Sequence, residues 1–151
     1  MTRIAQTFAR LRDERRAGLV TYVTAGDPDL DRTAGILHAL DRAGADVLEV
    51  GVPFSDPLAD GPVIQRATER ALAAGTTLSG VLGLLRTMRG DIAAPIVIFS
   101  YANPILRLGP EQFADRACEA GAHWPRITKC TRLLRAQQAS VSSWQSGSSS
   151  P

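Results

Sequence analysis

The chain has 151 residues, 44% hydrophobic and 21% charged, which is the mix of an ordinary globular protein with room for one core. Its net charge of +2 gives no ground for a nucleic-acid partner or an anionic membrane surface. No apolar run approaches the roughly 20 residues that span a bilayer. The first sixteen residues are Arg-rich, with Ile4, Phe8 and Leu11 on one helical face. Asp13 and Glu14 argue against a transit peptide, and the apolar stretch of a secretory signal is missing. This spacing predicts a leading helix over residues 4–16, closed by Gly18.

Residues 19–24 (LVTYVT) are apolar and β-branched, the pattern of a short buried strand. Ala25-Gly26-Asp27-Pro28 is a turn. Leu30, Ala34, Leu37 and Leu40 recur at helical spacing, so residues 30–43 form a helix that Gly44 ends. A second strand covers residues 47–50. Pro62 opens a helix that runs to Gly75, since the missing N–H of proline costs nothing at a first helical position. Thr77 caps a further helix with Leu78, Val81, Leu82, Leu85 and Met88 as its stripe. Residues 96–99 (IVIF) are the third strand, and Tyr101-Ala102-Asn103-Pro104 reads as a loop. Pro110 starts a last helix, through Phe113, Ala114 and Ala117, that Gly121 closes. Cys118 falls in that helix as a small core residue. Cys118 and Cys130 have neither metal-type spacing nor a disulfide framework, which fits a reducing, cytoplasmic compartment.

Strand–helix alternation implies a parallel sheet. A βα unit of an eight-fold barrel averages about 30 residues, so residues 1–122 would supply a leading helix and about three units. A doubly wound open sheet is the structural alternative. No Gly-rich dinucleotide fingerprint follows the first strand to support it.

The pattern breaks at residue 122. The second strand is preceded by Ala43-Gly44-Ala45, and the expected fourth by Ala120-Gly121-Ala122. An apolar run follows the first of these; Trp124-Pro125-Arg126 follows the other, and proline is poorly tolerated in a central strand. Residues 123–151 contain no Asp or Glu and end in a serine-rich run. They read as a disordered tail. A natural flexible tail is one explanation. A shift of reading frame near residue 122 accounts better for an abrupt switch inside an expected strand.

The chemistry concentrates in residues 47–62, VLEVGVPFSDPLADGP. An acid, Glu49, interrupts a strand expected to be buried on both faces, and a second, Asp60, lies in the loop that follows. The carboxyl end of a strand in an α/β fold is where active sites sit. A buried carboxylate is costly unless paired. Glu49 is therefore either a structural group satisfied by an Arg or a backbone N–H, or a general acid/base tuned by desolvation. Asp60 and Asp56 could instead cap or brace the loop, and Asn103 could simply hold its turn.

Residues 49–62 (EVGVPFSDPLADGP) closely resemble the signature of the tryptophan synthase alpha subunit family. Residues 22–28 (YVTAGDP), 64–67 (IQRA), 73–77 (AAGTT) and 100–105 (SYANPI) support the resemblance, which runs to about residue 122. It implies a TIM (βα)8 barrel and a lyase of tryptophan biosynthesis. The reaction is retro-aldol cleavage of indole-3-glycerol phosphate to indole and glyceraldehyde 3-phosphate, classed among carbon–carbon and hydro-lyases. By resemblance Glu49 protonates the indole ring carbon and Asp60 holds the ring N–H. Tyr22, Ile64, Phe99 and Ser100 match positions that line the indole pocket. The loop with Pro53, Phe54, Ser55, Asp56 and Pro57 matches the one that meets the beta subunit, the partner in an alpha2-beta2 tetramer. Pyridoxal phosphate belongs to that partner, so no cofactor and no metal is expected on this chain. The phosphate site implied by the family, after strands 7 and 8, is not in these residues. The expectation is a chain that neither closes into a barrel nor turns over. Two other functions fit less of the pattern: another phosphate-binding barrel enzyme, or a non-catalytic module that docks on the beta subunit.

Overall fold

The structure, a computed structural model, describes residues 2–122. The readings made for residues 123–151, the tail and the frame shift, lie outside the described residues.

Three strands form one parallel sheet in sequence order: β1 (Val20–Thr24), β2 (Val47–Gly51) and β3 (Ile96–Phe99). Tyr22 stands beside Glu49 and Glu49 beside Val97; Val23, Val50 and Ile98 form the next row. In a parallel sheet residues in register share a face, and the pleat alternates the faces along each strand. Thr21, Leu48, Ile96, Val23, Val50 and Ile98 therefore point one way. Tyr22, Glu49, Val97, Thr24, Gly51 and Phe99 point the other.

Helices cover the first of these faces: α1 (Arg3–Asp13) lies beneath the sheet, while α2 (Leu30–Arg42), α3 (Pro62–Ala73), α4 (Leu78–Thr87), α5 (Ala102–Leu108) and α6 (Pro110–Glu119) follow the strands. The core sits between sheet and helices, where Leu48, Val50, Ile96 and Ile98 meet Leu37, Val81, Leu82, Leu85 and Phe113. The second face has no covering layer among the described residues. Phe99 is 53% exposed on it and Tyr22 38%. A doubly wound sheet would carry helices on both faces; this one carries them on one.

Most boundaries fall where turn and cap chemistry put them. Thr77 accepts a hydrogen bond from the Gly80 N–H and caps α4, and Asp29 caps α2 through the Arg32 N–H. Gly44, Gly75, Gly90 and Gly121 all have positive φ just past helix ends. Four expectations are corrected. The first helix stops at Asp13, not Arg16. Arg15 takes the left-handed conformation (φ 52°), and its N–H and that of Arg16 close the end onto Arg12 and Leu11. The first strand is not buried: among the described residues it is an edge strand, and Leu19, just before it, is 52% exposed. Tyr101-Ala102-Asn103-Pro104 is no loop but the entry to α5. Pro104 lies in its first turn, where no N–H is needed. Cys118 faces outward and is exposed, since Phe113 and Ala117 take the buried side of α6.

Asp46 fixes the leading helix under the sheet. It is 4% exposed. Arg16 grips it with two hydrogen bonds of 2.8 and 2.7 Å, Arg10 donates a third at 3.2 Å, and the Leu19 N–H a fourth at 2.9 Å. The Arg16 guanidinium and the Leu19 N–H hold its carboxyl down at about 2, below the ordinary 3.8. Because the folded value lies below the unfolded one, this contribution is complete above about pH 4 and is lost as pH falls toward 2. Replacing Asp46 by Asn strips the ion pairs, costing about 1–3 kcal/mol for a buried donor left poorly matched. Acid titration of helical ellipticity is the measurement. Asp46→Asn is expected to lower stability at pH 7 and to flatten the loss between pH 4 and 2; an unchanged profile refutes the assignment.

Candidate active site at the carboxyl end of the sheet

Glu49 is the middle residue of the middle strand. The pleat turns it to the face without helices, where it is half-buried between Tyr22 of β1 and Val97 of β3. A buried strand was expected and is found: Val47, Leu48, Val50 and Gly51 are buried, and Glu49 alone is half-buried. Among the described residues no hydrogen bond or ion pair reaches the Glu49 carboxylate. The structural reading of this acid required such a partner. Asp46, three residues earlier, shows what a satisfied carboxylate looks like in this fold, with both oxygens engaged.

Tyr22 joins the acids. Its hydroxyl lies directly over Gly51, so that any Cβ at that position would overlap it. Its ring meets Phe99 edge-on, centroids 6.2 Å apart at 81°. Burial raises the Tyr22 phenol above its ordinary value; a hydrogen bond with Thr24 opposes this, and the charges of Asp60 and Glu49 add to the rise. Both carboxylates thus act on one phenol, one from the strand and the other from the loop. The result is an aromatic corner, Tyr22 on Phe99, with Glu49 beside it.

Asp60 is half-buried and does not cap α3. The cap position is Gly61, and no side chain bonds there. The loop is held by its backbone and by two residues not singled out as site residues from sequence. Gln65, in α3, donates its amide to the carbonyls of Pro57 (3.3 Å) and Asp60 (3.0 Å). The Tyr101 hydroxyl accepts the Ala59 N–H at 3.1 Å, and its ring packs on Phe54 at 5.1 Å. The Val52 N–H also bonds the Phe99 carbonyl, so the loop leaves β2 still tied to β3. Both braces lie within the family-like runs 64–67 and 100–105, and that was the only signal pointing to them.

The other expected residues divide. Ile64 is half-buried in the first turn of α3, four residues past Asp60. Ser100 is half-buried after β3, but its hydroxyl bonds the Tyr101 carbonyl (3.0 Å) rather than either acid. In the loop after β2, Pro53 is buried and Phe54 half-buried under Tyr101. Ser55 and Asp56 are exposed and hydrogen-bonded to each other at 2.9 Å, Pro57 is half-buried, and Leu58 stands 92% exposed at the tip.

Tyr101→Phe removes the acceptor of the Ala59 N–H while keeping the ring. Loss of one such bond, about 1 kcal/mol, corresponds to roughly fivefold faster amide exchange. Exchange at Ala59 is expected to rise by that factor, with amides in β2 unchanged. Equal exchange at Ala59 in both proteins would show that Tyr101 does not brace the loop.

Known proteins resemble this chain in sequence and in fold. The family model described as tryptophan synthase alpha chain matches residues 8–125. The alpha chain of Synechococcus elongatus is 58% identical over 123 residues, 82% of this chain and 46% of that one. That of Burkholderia thailandensis is 56% identical over 122 residues, 80% and 45% of the two chains. The solved alpha subunit of Legionella pneumophila superposes with a TM-score of 0.78 at 47% identity, over 81% of this chain and 47% of that one. An aminoacrylate-bound tryptophan synthase of Mycobacterium tuberculosis gives 0.80 at 33% identity, over 92% and 58%. These solved neighbours are TIM barrels, and the three-stranded sheet described here is part of such a barrel wall. The chain spans under half the length of the curated relatives it matches. On these grounds it belongs to the tryptophan synthase alpha chain family.

Proposed function

We propose that this chain carries the acid pair of an indole-3-glycerol phosphate lyase, the alpha reaction of tryptophan biosynthesis. The observation that carries the reading is Glu49: an acid in the central strand, without a partner among the described residues, beside an aromatic corner suited to a flat bicyclic ring. Glu49 delivers a proton to the ring carbon that bears the glycerol chain. The carbon–carbon bond then breaks, its electrons return to the ring as indole, and the adjacent hydroxyl gives up its proton as it becomes an aldehyde. One proton enters and one leaves, so Glu49 is regenerated if it takes the second. Asp60 accepts the ring N–H and stabilises the positive charge that the protonated ring develops. Tyr22 and Phe99 stack on the ring, with Ile64 and Ser100 at the rim.

Tight acid duty requires that water be kept from Glu49. In the described residues its face of the sheet is open, and the loops that hold phosphate in such barrels, after strands 7 and 8, are not among them. Residues 1–122 act as one portion of a barrel, and the 151-residue chain alone is inactive. The exposed tip from Ser55 to Leu58 is the surface offered to the beta subunit in an alpha2-beta2 assembly, with pyridoxal phosphate on that partner and the complex in the cytoplasm.

Two measurements test this. The purified 151-residue chain is expected to release no indole from indole-3-glycerol phosphate above background. A chimera in which residues 1–122 replace the matched part of the Legionella pneumophila subunit is expected to release it. In that chimera Glu49→Gln should lower kcat by about 10²–10⁴, the usual worth of a general acid/base, and Asp60→Asn should lower it as well. A folded chimera without turnover, or a Glu49→Gln chimera with full turnover, overturns the assignment.

A further inference from the structure

The helix that follows the acid loop is held at both ends. It begins at Pro62, two positions after Asp60, and there Gln65 donates to the Asp60 and Pro57 carbonyls. With 12 residues α3 spans about 18 Å, and it packs against β1. Its far end meets the turn that follows β1. Arg70, in the last turn of α3, grips the Asp27 carboxylate fork to fork: Nε donates to one oxygen at 2.8 Å and a terminal nitrogen to the other at 2.7 Å. Just past the helix, the buried Thr76 side chain fills the space where a Cβ on Gly26 would stand, and Gly26 is at φ 86°. The turn itself is fixed to α2. The Gly26 N–H donates to the Thr33 hydroxyl at 2.9 Å, and that hydroxyl donates to the Asp29 carbonyl at 2.8 Å.

We infer that Arg70 is a positioning residue for the acid loop: through Asp27 it seats the far end of α3 on the β1–α2 turn, and the helix carries that seat to Asp60. An exposed ion pair taken alone is worth little, and the Arg70 side chain is 57% exposed. What distinguishes this pair is its place. The Asp27 side chain is only 20% exposed, one fork engages both of its oxygens, and the Gly26–Thr76 contact locks the same junction beside it. β1 also carries Tyr22, so the junction sets the acid loop against the aromatic corner. A helix is stiff along its axis. A shift at Arg70 therefore reaches Asp60 as a displacement of the whole element, and about 1 Å of misplacement can cost a reaction roughly 10²-fold. The consequence for turnover rests on the role proposed above for Asp60; the seating of α3 does not.

Amide exchange in the 151-residue chain reads the seating directly. Arg70→Ala is expected to speed exchange about threefold to fivefold at Asp60 and Gln65, whose N–H groups bond the Pro57 and Gly61 carbonyls, with amides in β2 unchanged. Asp27→Ala should do the same, and the double variant no more than either alone, because each removes the one pair. Faster exchange confined to residues 74–76, whose N–H groups close the end of α3, would reduce the pair to a local clasp and overturns the proposal. So do effects of the two substitutions that add. In the chimera with the Legionella pneumophila subunit, Arg70→Ala is expected to lower kcat about tenfold, and to add nothing once Asp60→Asn is present, since Arg70 acts through Asp60. Equal losses in both backgrounds would mark general damage to the fold and overturn the positioning role. A chimera that is silent with Arg70 intact refutes the lyase reading alone, and the exchange rates at Asp60 and Gln65 then decide the seating of α3.

Discussion

The pleat of β2 is the constraint on which the rest depends. Within five residues it must send Leu48 and Val50 into a helix-covered core and Glu49 to the opposite face. Strand period leaves no choice about this: moving the register by one residue would bury Glu49 and expose Leu48 and Val50 together. The apolar row therefore does two jobs. It holds the helices, and it fixes the direction in which the acid points. Because β2 is central, the same register also decides the neighbours of Glu49. Tyr22 is one of them, and it reaches Phe99 only because Gly51 leaves room for its hydroxyl.

Two acids three positions apart show how far environment, rather than residue type, assigns a role. Asp46 sits just before β2, where the chain leaves α2 and where the leading helix crosses beneath the sheet. Two arginines and a backbone N–H converge on it. Its desolvation is offset on every side, which makes it an anchor. Glu49 lies three positions further on, where none of the described residues pairs a cation with it. A carboxylate with no partner among the described residues adds nothing to the stability of this sheet, and that is the physical ground for the chemical role proposed for it.

Much of this was legible in the sequence because it is local. Period-2 and period-3.6 patterns, a Thr cap at residue 77, Pro62 at a first helical position and glycines past helix ends are all decided by a few neighbouring residues. What failed was decided from afar. Arg15 rather than Gly18 ends the first helix, and it does so where the next residue, Arg16, pairs with an aspartate 30 positions away. Tyr101 to Pro104 looked like a turn because proline and asparagine are turn residues. The same residues are equally at home in a first helical turn, and the apolar Ile105, which is buried, tips the balance to α5. Cys118 was misplaced because α6 has one buried stripe, already filled by Phe113 and Ala117. For the site, the acids could be found from a strand–loop pattern. Tyr101 and Gln65 could not, since their partners are backbone groups 42 positions and a few residues away, and a backbone group leaves no mark in the sequence.

The same division between local and distant explains how a partial barrel can present an organised loop. Besides the loop's own internal hydrogen bonds, the described braces on residues 52–61 come from β3, from Tyr101 at the start of α5 and from α3, all within the next fifty residues of chain. The geometry of the acid-bearing loop therefore does not wait for closure of the barrel. The environment of Glu49 does, because the open face of β2 can be covered only by strands that bring their own inward-facing side chains. Placement of the two carboxylates and exclusion of water from them are thus separable properties in this chain, with the first written into its early βα units. Loop braces, sheet register and the Gly51–Tyr22 fit all act on placement, and none of them can supply a lid.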